Sequence, residues 1–128
     1  MKAPAQTPLQ IAEAHWGADM PDWVRALAVE CSRPGMTQRA VADKLDRSPA
    51  IVTQILRKQY AAAMDRIEER VRGVFMDGQV ECPALGSVLA HECQDWRSAA
   101  RTFNSGSPLA RQMYRACRMC PRFTGEEQ

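Results

Sequence analysis

Apolar positions along this chain recur at helical spacing in short runs, each closed by Gly, Pro or a polar turn. That pattern predicts an all-α fold. Trp23, Val24, Leu27, Ala28 and Cys31 make one stripe, on a helix that follows Asp19 and Pro21 and runs to about Ser32. Ala40, Val41 and Leu45 make a second stripe. Ile51, Val52, Ile55 and Leu56 make a third, and Ile67, Val71, Val74 and Phe75 a fourth. Two further helices are expected from about Ala90 to Phe103 and from Pro108 to Cys117. Arg33-Pro34-Gly35 and Asp77-Gly78 interrupt the pattern. Residues 1–18, with two prolines and Gly17, carry no secured stripe and read as a flexible leader. Residues 19–78 then form a helical domain, 79–123 a second helical segment, and 124–128 a tail.

The most informative stretch is Thr37 to Arg57, TQRAVADKLDRSPAIVTQILR. Thr37 can cap the first helix by accepting an orphan amide hydrogen. Asp46-Arg47-Ser48 is the turn. Ser48 is the second cap, and Pro49 takes the first helical position, where a missing N–H costs nothing. With Ile51, Val52, Ile55 and Leu56 turned inward, Pro49, Ala50, Thr53, Gln54 and Arg57 are left outward. Small and polar residues ending in an arginine suit a helix laid in a DNA major groove. The expected DNA-contacting set is Thr37, Gln38, Arg47, Ser48, Pro49, Ala50, Thr53, Gln54, Arg57 and Lys58. No acid lies between Asp46 and Asp65, so this window is locally basic, as phosphate contact requires.

The segment resembles the helix-turn-helix of the lambda-repressor-like family. Ala42 is the small residue at the inter-helix contact, Leu45 precedes the turn, and Val52 and Ile55 match the inward apolar positions. Two positions depart from that pattern. A Gly followed by an apolar residue is usual in the turn, and this chain has Asp46 and Arg47. Asp tolerates the left-handed conformation better than most residues, so the first departure is mild.

Composition sets bounds on the rest. The chain has 128 residues, 45% of them hydrophobic, which suffices for a packed core in one small domain with an appendage. No stretch approaches the ~20 apolar residues of a membrane span, and the polar N-terminus lacks a signal-peptide core. A cytoplasmic setting, bacterial or viral, is expected. There the five cysteines would be reduced, which favours metal ligation or burial over disulfides. Cys31 reads as a buried thiol packing as a small hydrophobe. Net charge is only +2, so nucleic-acid binding depends on where the charges sit.

Cys82, Cys93, Cys117 and Cys120 fall in the second segment. Cys117-Arg118-Met119-Cys120 is a C-x-x-C pair, a spacing that lets two thiolates reach one metal ion, and Cys82 and Cys93 could complete four ligands. Zn²⁺ is the expected ion, with an iron–sulfur cluster as the alternative, or no metal at all. His91 could substitute as a ligand. Thioredoxin-like redox use of the pair lacks its strand-bearing context. From Trp96 to Gly125 there is no acid, whereas Arg97, Arg101, Arg111, Arg115, Arg118 and Arg122 are present. They would balance an anionic thiolate site or track phosphates, or both.

The arrangement as a whole is similar to small helix-turn-helix proteins of Mu-like transposable phages and prophages. DWVRALA, the helix pair with Tyr60 just after it, VECPALG and CRMCP carry that resemblance. It implies a transcriptional regulator or a DNA-binding accessory of transposition, with double-stranded DNA and phage transcription or transposition proteins as partners. The expectation is a sequence-specific regulator acting as a homodimer, since one such helix reads only a few base pairs. The alternative is an architectural protein of low sequence specificity. No nucleophile–base pair, phosphate loop or carboxylate group points to an enzyme.

Overall fold

The computed structural model describes residues 6–103 and 106–123, and the tail expected at 124–128 lies outside them. The chain divides between Met76 and Asp77 into two units, one residue or two from the Asp77-Gly78 punctuation. No helix among the described residues is long and apolar enough to cross a membrane.

Among the described residues, the regular structure of the first unit is helical. Its elements are α1 (Pro8–Trp16), a 3₁₀ turn (Gly17–Asp19), α2 (Asp22–Ser32), α3 (Gln38–Leu45), α4 (Pro49–Leu56) and α5 (Asp65–Phe75). Helix α1 corrects the expectation of a flexible leader over residues 8–16. Thr7 Oγ1 accepts from the Gln10 N–H at 3.2 Å, and Gln10 Oε1 accepts from the Thr7 N–H at 2.9 Å. That reciprocal cap, with Pro8 in the first turn, starts the helix. The Leu9 N–H donates to Ser32 Oγ at 3.0 Å, while the Ser32 hydroxyl donates to the Ala28 carbonyl at 2.8 Å. The start of α1 is thereby tied to the end of α2. Asp22, rather than Asp19, serves the start of α2, accepting from the Trp23 N–H at 2.8 Å.

The core of this unit gathers Trp16, Trp23, Leu27, Val41, Leu45, Val52, Ile55, Leu56, Ile67 and Val71, all buried. The predicted stripes of α2, α3 and α4 therefore face inward, and Val74 and Phe75 of α5 are half-buried. Two arginines of α5 make contacts to other helices. Arg70 is buried, and its Nε donates to the Leu45 carbonyl at the end of α3. Arg72 bonds Asp22 through Nη2 at 2.8 Å and Glu68 through Nε at 2.9 Å, joining α5 to α2. The Arg72 guanidinium holds the Asp22 carboxyl below its usual range.

The second unit adds what the all-α expectation lacks, a short hairpin. Strands β1 (Gln79–Cys82) and β2 (Gly86–Leu89) are antiparallel, with Val80 opposite Val88 and Cys82 opposite Gly86. Gly86, at φ 82, closes the three-residue turn in the left-handed region that glycine enters at no steric cost. Helices α6 (Ala90–Ala99) and α7 (Pro108–Arg118) follow. Ser107 caps α7 by accepting from the Ala110 N–H at 3.0 Å. Arg118 gathers the far end of the unit. It donates to the Ala100 and Arg101 carbonyls, each at 3.0 Å, and its guanidinium lies over the rings of Tyr114 and Phe123. The fold is thus mostly helical with one small two-stranded sheet.

Candidate functional site

Helices α3 and α4 are joined by Asp46, Arg47 and Ser48, the turn expected from the sequence. Thr37 Oγ1 accepts from the Ala40 N–H at 3.0 Å, and Ser48 Oγ from the Ile51 N–H at 3.4 Å. Asp46 has φ 55 and ψ 46, the left-handed conformation in which an Asp can stand in for Gly. The Arg47 N–H then reaches back five residues to the Ala42 carbonyl at 2.9 Å and closes the end of α3. Arg47 is half-buried, with Nη1 donating to the Asp46 carbonyl at 2.8 Å.

Val52, Ile55 and Leu56 hold α4 against the core, which leaves its other side outward. Of the ten residues expected to meet DNA, Thr37, Ser48, Pro49, Ala50, Gln54, Arg57 and Lys58 are exposed. Gln38, Arg47 and Thr53 are half-buried. The Thr53 hydroxyl donates to Gln38 Oε1 at 2.6 Å, so these two polar side chains bridge α3 and α4. Lys58 sits after the end of α4 at φ 56, and its Nζ lies 5.2 Å from the centre of the Trp16 ring. Its charge is therefore shared with a cation–π contact.

Trp16 and Arg70 position this face, and neither was assigned to it from sequence. The Trp16 indole N–H donates to the Ile55 carbonyl at 2.8 Å in a buried bond, fixing the end of α4 against α1. Arg70 does the equivalent for the end of α3. The sequence signal for α1 was present in Thr7-Pro8 and Gln10, the same cap-plus-proline logic that opens α4 and α7.

In the second unit, Cys82, Cys93, Cys117 and Cys120 line one cavity of about 20 Å³, together with Trp96, Arg97, Met113 and Arg122. They arrive from the end of β1, the middle of α6, the end of α7 and the turn beyond it. The Cys120 N–H donates to the Cys117 carbonyl at 3.0 Å, the bond that turns the C-x-x-C pair. Arg97 is buried, contrary to an exposed phosphate-tracking role, and its Nη1 donates to Cys93 Sγ at 3.1 Å. Burial pushes the Cys117 thiol up to about 11; Cys82, Cys93 and Cys120 add to the shift, and Arg97 opposes it. No three His, Cys, Asp or Glu side chains among the described residues stand at metal-ligand spacing. His91 does not line the cavity, and its Nδ1 is buried without a hydrogen-bond partner among the described residues.

Cys31, by contrast, lies in the core of the first unit. Burial pushes its thiol from 9.0 up to about 12, with the Glu30 charge adding to the shift. A raised folded-state value gives stability that is complete below pH 9 and is lost as pH rises toward 12. Cys31→Ala should therefore lose less stability than the parent chain across that window. Urea midpoints of the two proteins, compared from pH 8 upward, measure the difference.

Comparison with family models, with characterised proteins and with solved structures finds no match to this chain.

Proposed function

We propose that the chain is a sequence-specific DNA-binding regulator in which α3 and α4 act as a helix-turn-helix of the lambda-repressor-like kind and α4 enters the major groove. The observation that carries this reading is the two-sidedness of α4. Val52, Ile55 and Leu56 are buried, while Ser48, Pro49, Ala50, Gln54 and Arg57 are exposed on an acid-free stretch. The small residues at its start allow close approach to base edges. Gln54 can bond adenine through its amide, and Arg57 can hold a guanine or a phosphate. The bond from Thr53 uses the Gln38 carbonyl, which leaves the Gln38 amide nitrogen as its donor toward DNA. A homodimer on paired half-sites supplies the reading length that one short helix lacks. Such a regulator, of the kind expected for Mu-like phages and prophages, would act in a reduced, cytoplasmic setting.

Gln54→Ala should cost about 1–3 kcal/mol on the cognate site and relax preference at one base pair. Arg57→Ala should weaken all sequences alike if it holds a phosphate. Binding measured across a set of single-base variants separates the two effects. Unchanged affinity and preference in both mutants would remove α4 from the groove.

The second reading is an architectural or accessory DNA-binding protein of transposition with little sequence preference. It is favoured by the exposed Arg115 and Arg122 in the acid-free C-terminal stretch, which suit phosphates rather than bases.

A further inference from the structure

The second unit has little with which to hold itself together. Among the described residues its buried apolar side chains are Ala90, Ala100, Met113 and Cys117, and Cys82, Ala84, Trp96, Tyr114 and Phe123 pack partly buried against the last three. Units this small usually need a metal or disulfides to supplement so slight a core. All five cysteines are free thiols, so disulfides do not serve.

We propose that Cys82, Cys93, Cys117 and Cys120 bind one thiophilic divalent ion, Zn²⁺, in the cavity that they line. Four cysteines from a strand, two helices and a turn share that cavity, although they span much of the unit's sequence. A ligand set drawn from β1, α6, α7 and the turn beyond it would fasten these at once, with β2 held through its pairing to β1. The cavity of about 20 Å³ has room for one water-sized occupant. Four thiolates around a dication carry a net charge of about −2. Two arginines line the same cavity to offset it. Arg97 is buried with its Nη1 on Cys93 Sγ, the hydrogen bond that a ligating thiolate accepts, and Arg122 stands at the exposed side. Ligation requires the four sulfurs to turn into the cavity, to about 2.3 Å from the ion.

The full chain, purified anaerobically without chelator, should carry about one zinc per chain. In that protein Cys82 and Cys120, both partly exposed, should resist alkylation by iodoacetamide. Adding a chelator should speed their alkylation by at least about tenfold and leave Cys31 unreactive. Cys82→Ser and Cys120→Ser should each lower the zinc content about fivefold or more, and Cys31→Ser should not. Three results would overturn the site: no bound zinc, several irons with sulfide in its place, or alkylation rates that the chelator leaves unchanged. The chelator arm uses the parent chain, so it decides the matter even if the serine variants fail to fold. DNA binding by the first unit enters none of these readouts.

Discussion

Trp16→Ala should destabilise the first unit by about 3–5 kcal/mol, the usual cost of truncating a buried tryptophan. That is a large share of the roughly 5–15 kcal/mol by which a domain is stable. The effect has two sources. The indole fills the space between α1 and the inner face of α4, and its N–H satisfies the Ile55 carbonyl in a buried bond. Trp16→Phe keeps most of the volume and breaks only that bond, so its cost should fall to about 1–3 kcal/mol. The order Ala worse than Phe worse than parent is the signature of a structural helix. Hydrogen exchange at Val41, Leu45 and Val52 reports on the first unit alone and gives the free energy directly. DNA affinity should fall with stability, because the same bond fixes the end of α4. If removal of residues 1–17 left those exchange rates unchanged, α1 would be a dispensable leader after all.

Helices α3 and α4 were legible because every local signal agreed. Thr37 and Ser48 cap, Pro49 occupies a first turn, and Asp46 takes the left-handed conformation that the turn demands. Each of these effects acts within four residues, so sequence alone carries them. Helix α1 was not legible in the same way. Its stripe is weak, with only Ala12 and Trp16 buried, and it is secured by Ile55 and Ser32, far along the chain. The hairpin is not legible in the sequence, because four-residue strands leave almost no period to read. The burial of Arg70 and the placement of Arg97 against a cysteine are not legible in the sequence, because charge is the visible property of an arginine. Their burial follows from partners that only the fold supplies, the Leu45 carbonyl and the Cys93 sulfur.

The cysteines are an intermediate case. Their types and the C-x-x-C spacing suggest a shared site; all four line one cavity in the fold, though not at metal-ligand spacing. The gap between Cys82 and Cys93 matched no common zinc-finger spacing, because a hairpin and most of a helical turn separate them. That intervening geometry could not be read from the spacing itself.

The central claim is that α4 reads base sequence, and its largest expected effect is a ratio of affinities. DNA selected by the protein from a random pool should compete against mixed-sequence DNA at physiological salt. A regulator should bind the selected sequence roughly a thousandfold or more tightly, about 4 kcal/mol, with two half-sites centred about ten base pairs apart. Both sequences share phosphates, so every phosphate contact, from Lys58 or from an arginine, contributes equally to each and cancels in the ratio. Only base-edge contacts from residues such as Gln54 and Ala50 survive the comparison. A ratio near unity, with a steep fall in binding as salt rises, would contradict sequence reading and identify a phosphate-tracking architectural protein instead.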